Sequence, residues 1–226
     1  AKEDVRAYSL NSRSRDLLSS VRCWPDPQHA TPVQQMRVWG DDGGFVRFDS
    51  STPDGLTWIV DVPVLEKLLG EAVQHQADIT CLQQPAPAAL TVICEGRHSS
   101  TRTELGVTFD ALPYQQHAVA ARVRGSMGHR QQAFQWFAHH GEGLEILALL
   151  PLGGAQGDTA ALVWSLPPSR AQHMLSLDAP AFCEALQDAS HDLLGQMALI
   201  SERAMWPLQL ARAQQWTGQF ADGSSW

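Results

Sequence analysis

Apolar positions along the chain change period twice, and the changes mark out its elements. In VRAYSLNSRSRDLLSS, Tyr8, Leu10, Leu17, Leu18 and Val21 recur at mostly helical spacing around serines and an asparagine, which predicts a helix over about residues 9–20. A polar, proline-containing stretch, WPDPQHATP, leads into VQQMRVW and FVRFDS, strand-like runs joined by GDDGG. The Asp-Gly and Gly-Gly steps favour a tight turn, so this segment reads as a β-hairpin. After a loop at STPDG, TWIV reads as a strand and DVPVLEKLLGEAVQHQ as a helix, with Asp61 as N-cap and Pro63 in the first turn. ADITCL and LTVIC read as short strands on either side of QQPAPAA, and HSSTRTELG as a short helix opened by serine and threonine.

From Pro113 the pattern becomes strand-like. QQHAVAARVRG, QQAFQWFAHH, LEILALLPL and TAALVWSL are separated by short spacers, and short spacers imply antiparallel neighbours. Helical periodicity returns in PPSRAQHMLSL and DAPAFCEALQDAS, where Pro180 suits a first turn preceded by Leu177 or Asp178. MALISERAMWPLQLARAQQW reads as a strand interrupted at Pro207, before a polar tail, TGQFADGSSW. No internal repeat at a fixed period is apparent. Strand–helix alternation of the parallel type before residue 110, followed by an antiparallel meander, predicts an α+β (mixed α/β) fold. The first part holds too few strands for a complete doubly wound sheet, so the chain reads as a piece of something larger.

Composition narrows the class. The 226 residues are 44% apolar and 18% charged, with a net charge of −8, which excludes fibrous and disordered classes. An acidic balance argues against a nucleic-acid partner or an anionic-lipid surface. Lys2 and Lys67 are the only lysines, so arginine, the bidentate binder of phosphates and carboxylates, carries nearly all positive charge. Cys23, Cys81, Cys94 and Cys183 form no C-x-x-C pair and no disulfide framework, which fits a reducing, cytoplasmic setting. No run approaches the ~18 apolar residues of a membrane span, and AKEDVRAYSL lacks a signal peptide's apolar core.

Screens for self-contained chemistry find no foothold. No G-x-G-x-x-G, Walker loop, G-x-S-x-G or H-E-x-x-H occurs, and GGAQG at 153–157 reads as a loop between strands. His139 and His140 point to opposite faces of an extended segment and suit an exposed turn better than a shared metal. His129 is expected at a hairpin end, on the surface. Asp41 and Asp42 suit the hairpin turn, and Asp49 and Asp54 its neighbouring loops. Spacing nominates no acid/base pair and no metal site, so the catalytic residues stay unknown. Phe134, Trp136 and, one strand away, Trp164 share a face, as a packed core or as the wall of a ligand pocket. Arg6 and Arg97 are surface arginines unless something anionic lies beside them.

The segment Asp4-Val5-Arg6-Ala7-Tyr8-Ser9-Leu10, a D-x-R-x-x-x-L pattern with serines shortly after, resembles the stretch that follows the first flavin-binding strands of the ubiquinone-biosynthesis hydroxylases. These are FAD-dependent monooxygenases of the 2-polyprenyl-6-methoxyphenol hydroxylase type, in class A of the flavoprotein monooxygenases. The resemblance continues in order through ATPVQQMRVWGDDGGFVRFD, TWIVDVPVLEKLL, VICEGRHSSTR, PYQQHAVAARV, HRQQAFQWF, LALLPL and RAMWPL, most of the chain. Two features depart from the family. Its G-x-G-x-x-G and its glycine-aspartate flavin motif are absent, so the chain looks like the middle of a monooxygenase, inactive by itself. Its Asp-Gly motif stands here as Glu95-Gly96, and QQPAPAA before it looks shortened.

The resemblance implies a partial FAD-binding portion at 1–30 and 56–110, and a substrate-binding sheet domain at 31–55 and 111–210. Residues 211–226 would then lead toward the missing flavin motif. Carried over, Arg6 contacts the FAD pyrophosphate and Asp61 lies at a helix end beside the flavin. Glu95, Gly96 and Arg97 belong to the motif serving FAD and the cosubstrate NAD(P)H. The sheet offers Phe134 and Trp136 to a small aromatic or polyprenyl-phenol substrate, which NAD(P)H and oxygen would hydroxylate. Ubiquinone-pathway proteins or a peripheral position at the inner membrane are the implied partners, and exposed apolar area predicts self-association. Two other readings stay open: a flavin oxidoreductase acting on a different aromatic or lipid, and a non-catalytic binding module.

Overall fold

The computed structural model describes residues 4–141 and 143–226. Its elements run β1 (Ala7–Leu10), α1 (Ser12–Ser20), β2 (Ala30–Val33), β3 (Gln35–Trp39), β4 (Phe45–Asp49), β5 (Thr57–Asp61) and α2 (Val62–Gln74). A 3-10 turn (Gly96–His98) and α3 (Ser100–Glu104) follow, then β6 (Phe109–Gly125), β7 (Gln132–His140), β8 (Gly143–Leu152) and β9 (Thr159–Leu166). Helices α4 (Pro168–Ser176) and α5 (Ala179–Ser190) and strands β10 (Met197–Leu199) and β11 (Ala204–Ala213) complete the order. The class is the mixed α+β one expected.

The chain divides into two compact units, Ala1–Gln76 with Gln116–Trp206, and Ala77–Gln115 with Pro207–Trp226. In the first, β1, β5 and β2 form a small sheet, and β10-β6-β9-β8-β7-β3-β4 form the large one. The small sheet is antiparallel, Tyr8 opposite Val60 and Ala30 opposite Val60, where a parallel-type alternation was expected. In the large sheet the step between β3 and β7 is parallel. Sequence spacing cannot show that step, because the two strands lie about a hundred residues apart, as Trp39 and Trp136 do in its register.

Registers across the large sheet align Trp39, Trp136, Leu147, Trp164 and Val119 in one row. That face packs with Ala171 and Met174 of α4 and with Phe182 and Leu186 of α5 in one apolar core. Full burial of a side chain such as Phe182 contributes roughly 1.5–3 kcal/mol. Asp178 holds the start of α5: its side chain accepts from the Ala181 N–H at 2.9 Å, ahead of Pro180. On the opposite face, Met36, Ala133, Leu150 and Ala161 pack with Val33 and Ile59 of the small sheet. The next row along that face, Val38, Gln135, Ala148, Val163 and Ala120, belongs to neither cluster.

Three local expectations need correction. The helix expected over 9–20 is β1 followed by α1, because Asn11 caps the helix by accepting from the Ser14 N–H at 3.0 Å. ADITCL and LTVIC form no strands; only Leu90 makes a bridge, to Ser225. A strand exists only where a neighbour satisfies its backbone groups, and apolar content does not supply that neighbour. Pro207 does not interrupt β11, which pairs with β6 and lies off the main strand path, where a missing N–H is tolerated.

Candidate functional site

In the first unit, the buried end of β5 gathers charge. Asp61 is the N-cap of α2 with extended backbone, yet its side chain makes no cap bond. Its carboxylate instead accepts from both terminal nitrogens of Arg122 on β6, at 2.9 and 3.0 Å. Both side chains are largely buried, 12% and 18% exposed, and His29 Nδ1 stands 3.7 Å from the same carboxylate. Arg122 also reaches the Arg6 carbonyl at 3.4 Å. The Arg6 side chain turns the other way, toward Asp4 (2.6 Å) and Glu66 (3.0 Å), and is 42% exposed. That guanidinium holds the Asp4 carboxyl below its usual range, and the same pair raises the Arg6 pKa.

Arg6 and Asp61 are thus brought together through Arg122, which the sequence reading missed. Its signal was available: in AVAARVRG an arginine occupies an alternating position of an otherwise apolar strand.

Glu95, Gly96 and Arg97 lie in the second unit. Glu95 accepts from the Ser99 hydroxyl (2.8 Å), the Thr101 N–H (3.2 Å) and the Thr101 hydroxyl. The Thr101 hydroxyl, then Ser99, pull its pKa below the usual carboxylate value. Gly96 has φ +73, and a Cβ there would meet nothing within 4 Å, so this backbone borders open space that only glycine reaches without strain. Arg97 is exposed, its nearest side-chain partner His98. A cavity of about 680 Å³ is bordered by Cys94, Glu95, Gly96, Phe109, Trp216 and Trp226 of this unit.

Phe134 and Trp136 are 3% and 4% exposed, and both belong to the core shared with α4 and α5. Trp39 stacks on Trp136 at 5.0 Å, with its plane 5° away. On the other face, Gln135, Phe137, Ile146, Ala148, Val163 and Ser165 are only half-buried.

His129 is 2% exposed, contrary to the surface position expected, and contacts the Leu152 carbonyl at 2.8 Å. Burial of the hairpin end against the 153–157 loop, invisible to local pattern, accounts for this. His139 is exposed and faces Asp41 across the surface, while Asp42 serves the turn, accepting from the Gly44 N–H at 2.9 Å. Among the described residues, no group of three or more His, Cys, Asp or Glu is placed to hold a metal ion.

No protein-family model matches the chain. It is 25% identical to the human mitochondrial ubiquinone biosynthesis monooxygenase COQ6 over 253 residues, covering 92% of this chain and 52% of that protein. An "uncharacterized protein" of Synechocystis sp., slr1300, is 30% identical over 124 residues, covering 55% of this chain and 28% of that one. The chain therefore spans about half the length, or less, of these curated relatives. Among solved structures, PqsL of Pseudomonas aeruginosa, a probable FAD-dependent monooxygenase, superposes with a TM-score of 0.65 at 16% identity, covering 92% of this chain and 65% of PqsL. The fold is thus similar to about two thirds of PqsL and, with a TM-score of 0.63 at 14% identity, to a similar share of 2-methyl-3-hydroxypyridine-5-carboxylic acid oxygenase.

Proposed function

We propose that this chain is the central, substrate-binding region of an FAD-dependent aromatic hydroxylase that uses NAD(P)H and O2 and acts on a polyprenyl phenol in ubiquinone biosynthesis. The observation that carries the reading is the similarity to COQ6 along 92% of the chain. Residues of the chain fit FAD at two places. Arg6 offers an exposed guanidinium whose present partners are the Asp4 and Glu66 carboxylates and the Tyr8 hydroxyl, and a pyrophosphate would take the carboxylates' place. At Gly96 the left-handed backbone opens onto free space, which permits close approach by a phosphate or a ring. Glu95 and Arg97 flank that glycine, and Asp61, held by Arg122, stands at the start of α2. Bound FAD would supply the redox chemistry between NAD(P)H, oxygen and the phenol.

The chain's own part is to bind, orient and exclude water. The half-buried face of Gln135, Phe137, Ile146, Ala148, Val163 and Ser165 would serve as the substrate wall. Phe134 and Trp136 support that wall from the core behind it. Phe137, Ile146, Ala148 and Val163 make this face largely apolar, which suits a phenol ring with a hydrocarbon tail. Such a tail partitions into lipid, so peripheral contact with the inner membrane from the cytoplasmic side, or with other ubiquinone-pathway proteins, belongs to the same proposal. No helix among the described residues is long and apolar enough to cross a membrane.

The test is an FAD titration, with absorbance spectra, of this chain beside a version extended at both ends. The extended protein is expected to hold flavin and oxidise NAD(P)H faster with a polyprenyl phenol, and the present chain to bind FAD weakly or not at all. In the extended protein, Ala148→Phe should raise KM for the phenol about tenfold while flavin stays bound. Failure of both versions to bind FAD overturns the monooxygenase reading and leaves a binding module. Flavin reduction indifferent to the phenol overturns the substrate alone.

A further inference from the structure

The helix-covered side of the large sheet holds a second cavity that the hydroxylase reading does not use. Its volume is about 350 Å³, and it is bordered by Trp136, Trp164, Glu145, Arg170, Asp188 and His191. All six belong to the first unit. Glu145 stands on β8 in the row beyond Leu147, on the face that carries Trp136. Only 5% of the residue is exposed. A carboxylate so buried normally accepts several hydrogen bonds or sits in a close ion pair, since desolvation otherwise costs more than the fold gains. Here its one ion pair is a long one, Arg170 Nε at 3.5 Å, and no hydrogen bond reaches its side chain among the described residues.

Two further observations point the same way. The indole N–H of Trp136, a residue of the cavity wall, is buried without an acceptor among the described residues. Asp188 brings a second carboxylate, exposed at the cavity's rim. Among the described residues that border the cavity, two carboxylates stand against one guanidinium, an excess of one negative charge before His191 is counted, and two indoles form part of the wall. Carboxylates beside electron-rich ring faces recognise organic ammonium ions, which lose less hydration than a metal ion on entering an apolar pocket.

We propose that this cavity is a binding site for a small organic monocation, a primary or quaternary ammonium, with Glu145 as counter-ion, the two tryptophans as wall and Asp188 at the entrance. An acceptor on the ligand beside its cationic centre would satisfy the Trp136 N–H after a small shift of the ring. Arg170 occupies the Glu145 carboxylate when no ligand is present and swings toward solvent when one enters. The proposal stands independently of the flavin reading, since the cavity lies on the face opposite the one assigned to the substrate.

The test titrates the whole chain with choline and with 3,3-dimethylbutanol, its uncharged isostere, by calorimetry and by indole N–H resonances in nuclear magnetic resonance spectra. Choline is expected to bind at least about tenfold more tightly than the alcohol and to shift the Trp136 resonance. Glu145→Gln should weaken choline about tenfold, whereas Arg170→Gln, which removes the competing cation, should tighten it. Should Glu145→Gln fail to fold, Asp188→Asn at the exposed rim replaces it, and must weaken choline by about threefold or more. Equal binding of choline and the alcohol, absence of choline binding, or affinity unchanged by these substitutions overturns the proposal. Preferential binding of acetate, through Arg170 and the indole N–H, would overturn it in favour of an anion site.

Discussion

His129 shows how much one residue can depend on its surroundings. The Gln131 N–H donates to its Nδ1 at 3.0 Å, so Nε2 carries the proton and donates to the Leu152 carbonyl at 2.8 Å. A second proton has no place in that arrangement, and burial pushes the pKa below the usual histidine value. The unfolded chain therefore binds this proton more readily than the folded one. Stability from His129 is fully present above its ordinary pKa of about 6.5 and is lost as pH falls from there toward the lowered folded value. Urea denaturation between pH 7.5 and pH 5 should show that decline, at most about 1.4 kcal/mol per pH unit for one proton. His129→Gln should flatten it; a slope unchanged by the substitution would assign the decline to other groups. Gly157 belongs to the same device, since a Cβ there would fall on the Leu152 oxygen and lie 2.8 Å from His129 Nε2.

Among the elements, the junction of β5, α2 and β6 depends on a pair distant in sequence. Asp61 sits where an N-cap belongs, but its carboxylate is committed to Arg122, and the helix start relies on Pro63 and on backbone geometry. Removing the carboxylate leaves the largely buried Arg122 charge less well offset. Asp61→Asn should therefore cost about 2–3 kcal/mol in urea denaturation, toward the lower end for a pair with some exposure. Asp61→Ser separates the two roles, because serine caps a helix well and cannot pair with arginine. It is expected to lose as much as Asn; recovery with Ser would show that capping was the role. The elements themselves were largely legible: the hairpin of β3 and β4, the strands β6 to β9, and α5 with Pro180 in its first turn all follow from local period and punctuation, while the structure decides between Leu177 and Asp178 for its cap. ADITCL and LTVIC, read as strands, were not legible, because pairing is a property of two segments and only one of them is in view.

For the molecule as a whole, apolar surface is the distinctive feature. Phe45, Val46 and Phe48 on β4, at one end of the large sheet, are 49%, 51% and 50% exposed. An edge strand with apolar residues on both faces invites pairing with another chain. Self-association is expected in sedimentation velocity runs, and Phe48→Lys should weaken it about tenfold. A chain that stays monomeric at the highest concentration reached would show that this edge is adequately protected as it stands.

By itself the sequence determined the class of fold, the run of strands from 113 to 166, the helices after it, and the order of segments that resembles a flavin hydroxylase. These are carried by period, turn residues and local order, which act between near neighbours. Only the tertiary structure decided that Asp61 meets Arg122, that His129 is buried, that β3 runs parallel to β7, and that Phe134 and Trp136 turn toward the helices. Each of those depends on which distant segment comes to lie alongside. A strand's alternation shows that it has two faces, but only the layers packed against it decide which face is closed and which stays open to a ligand.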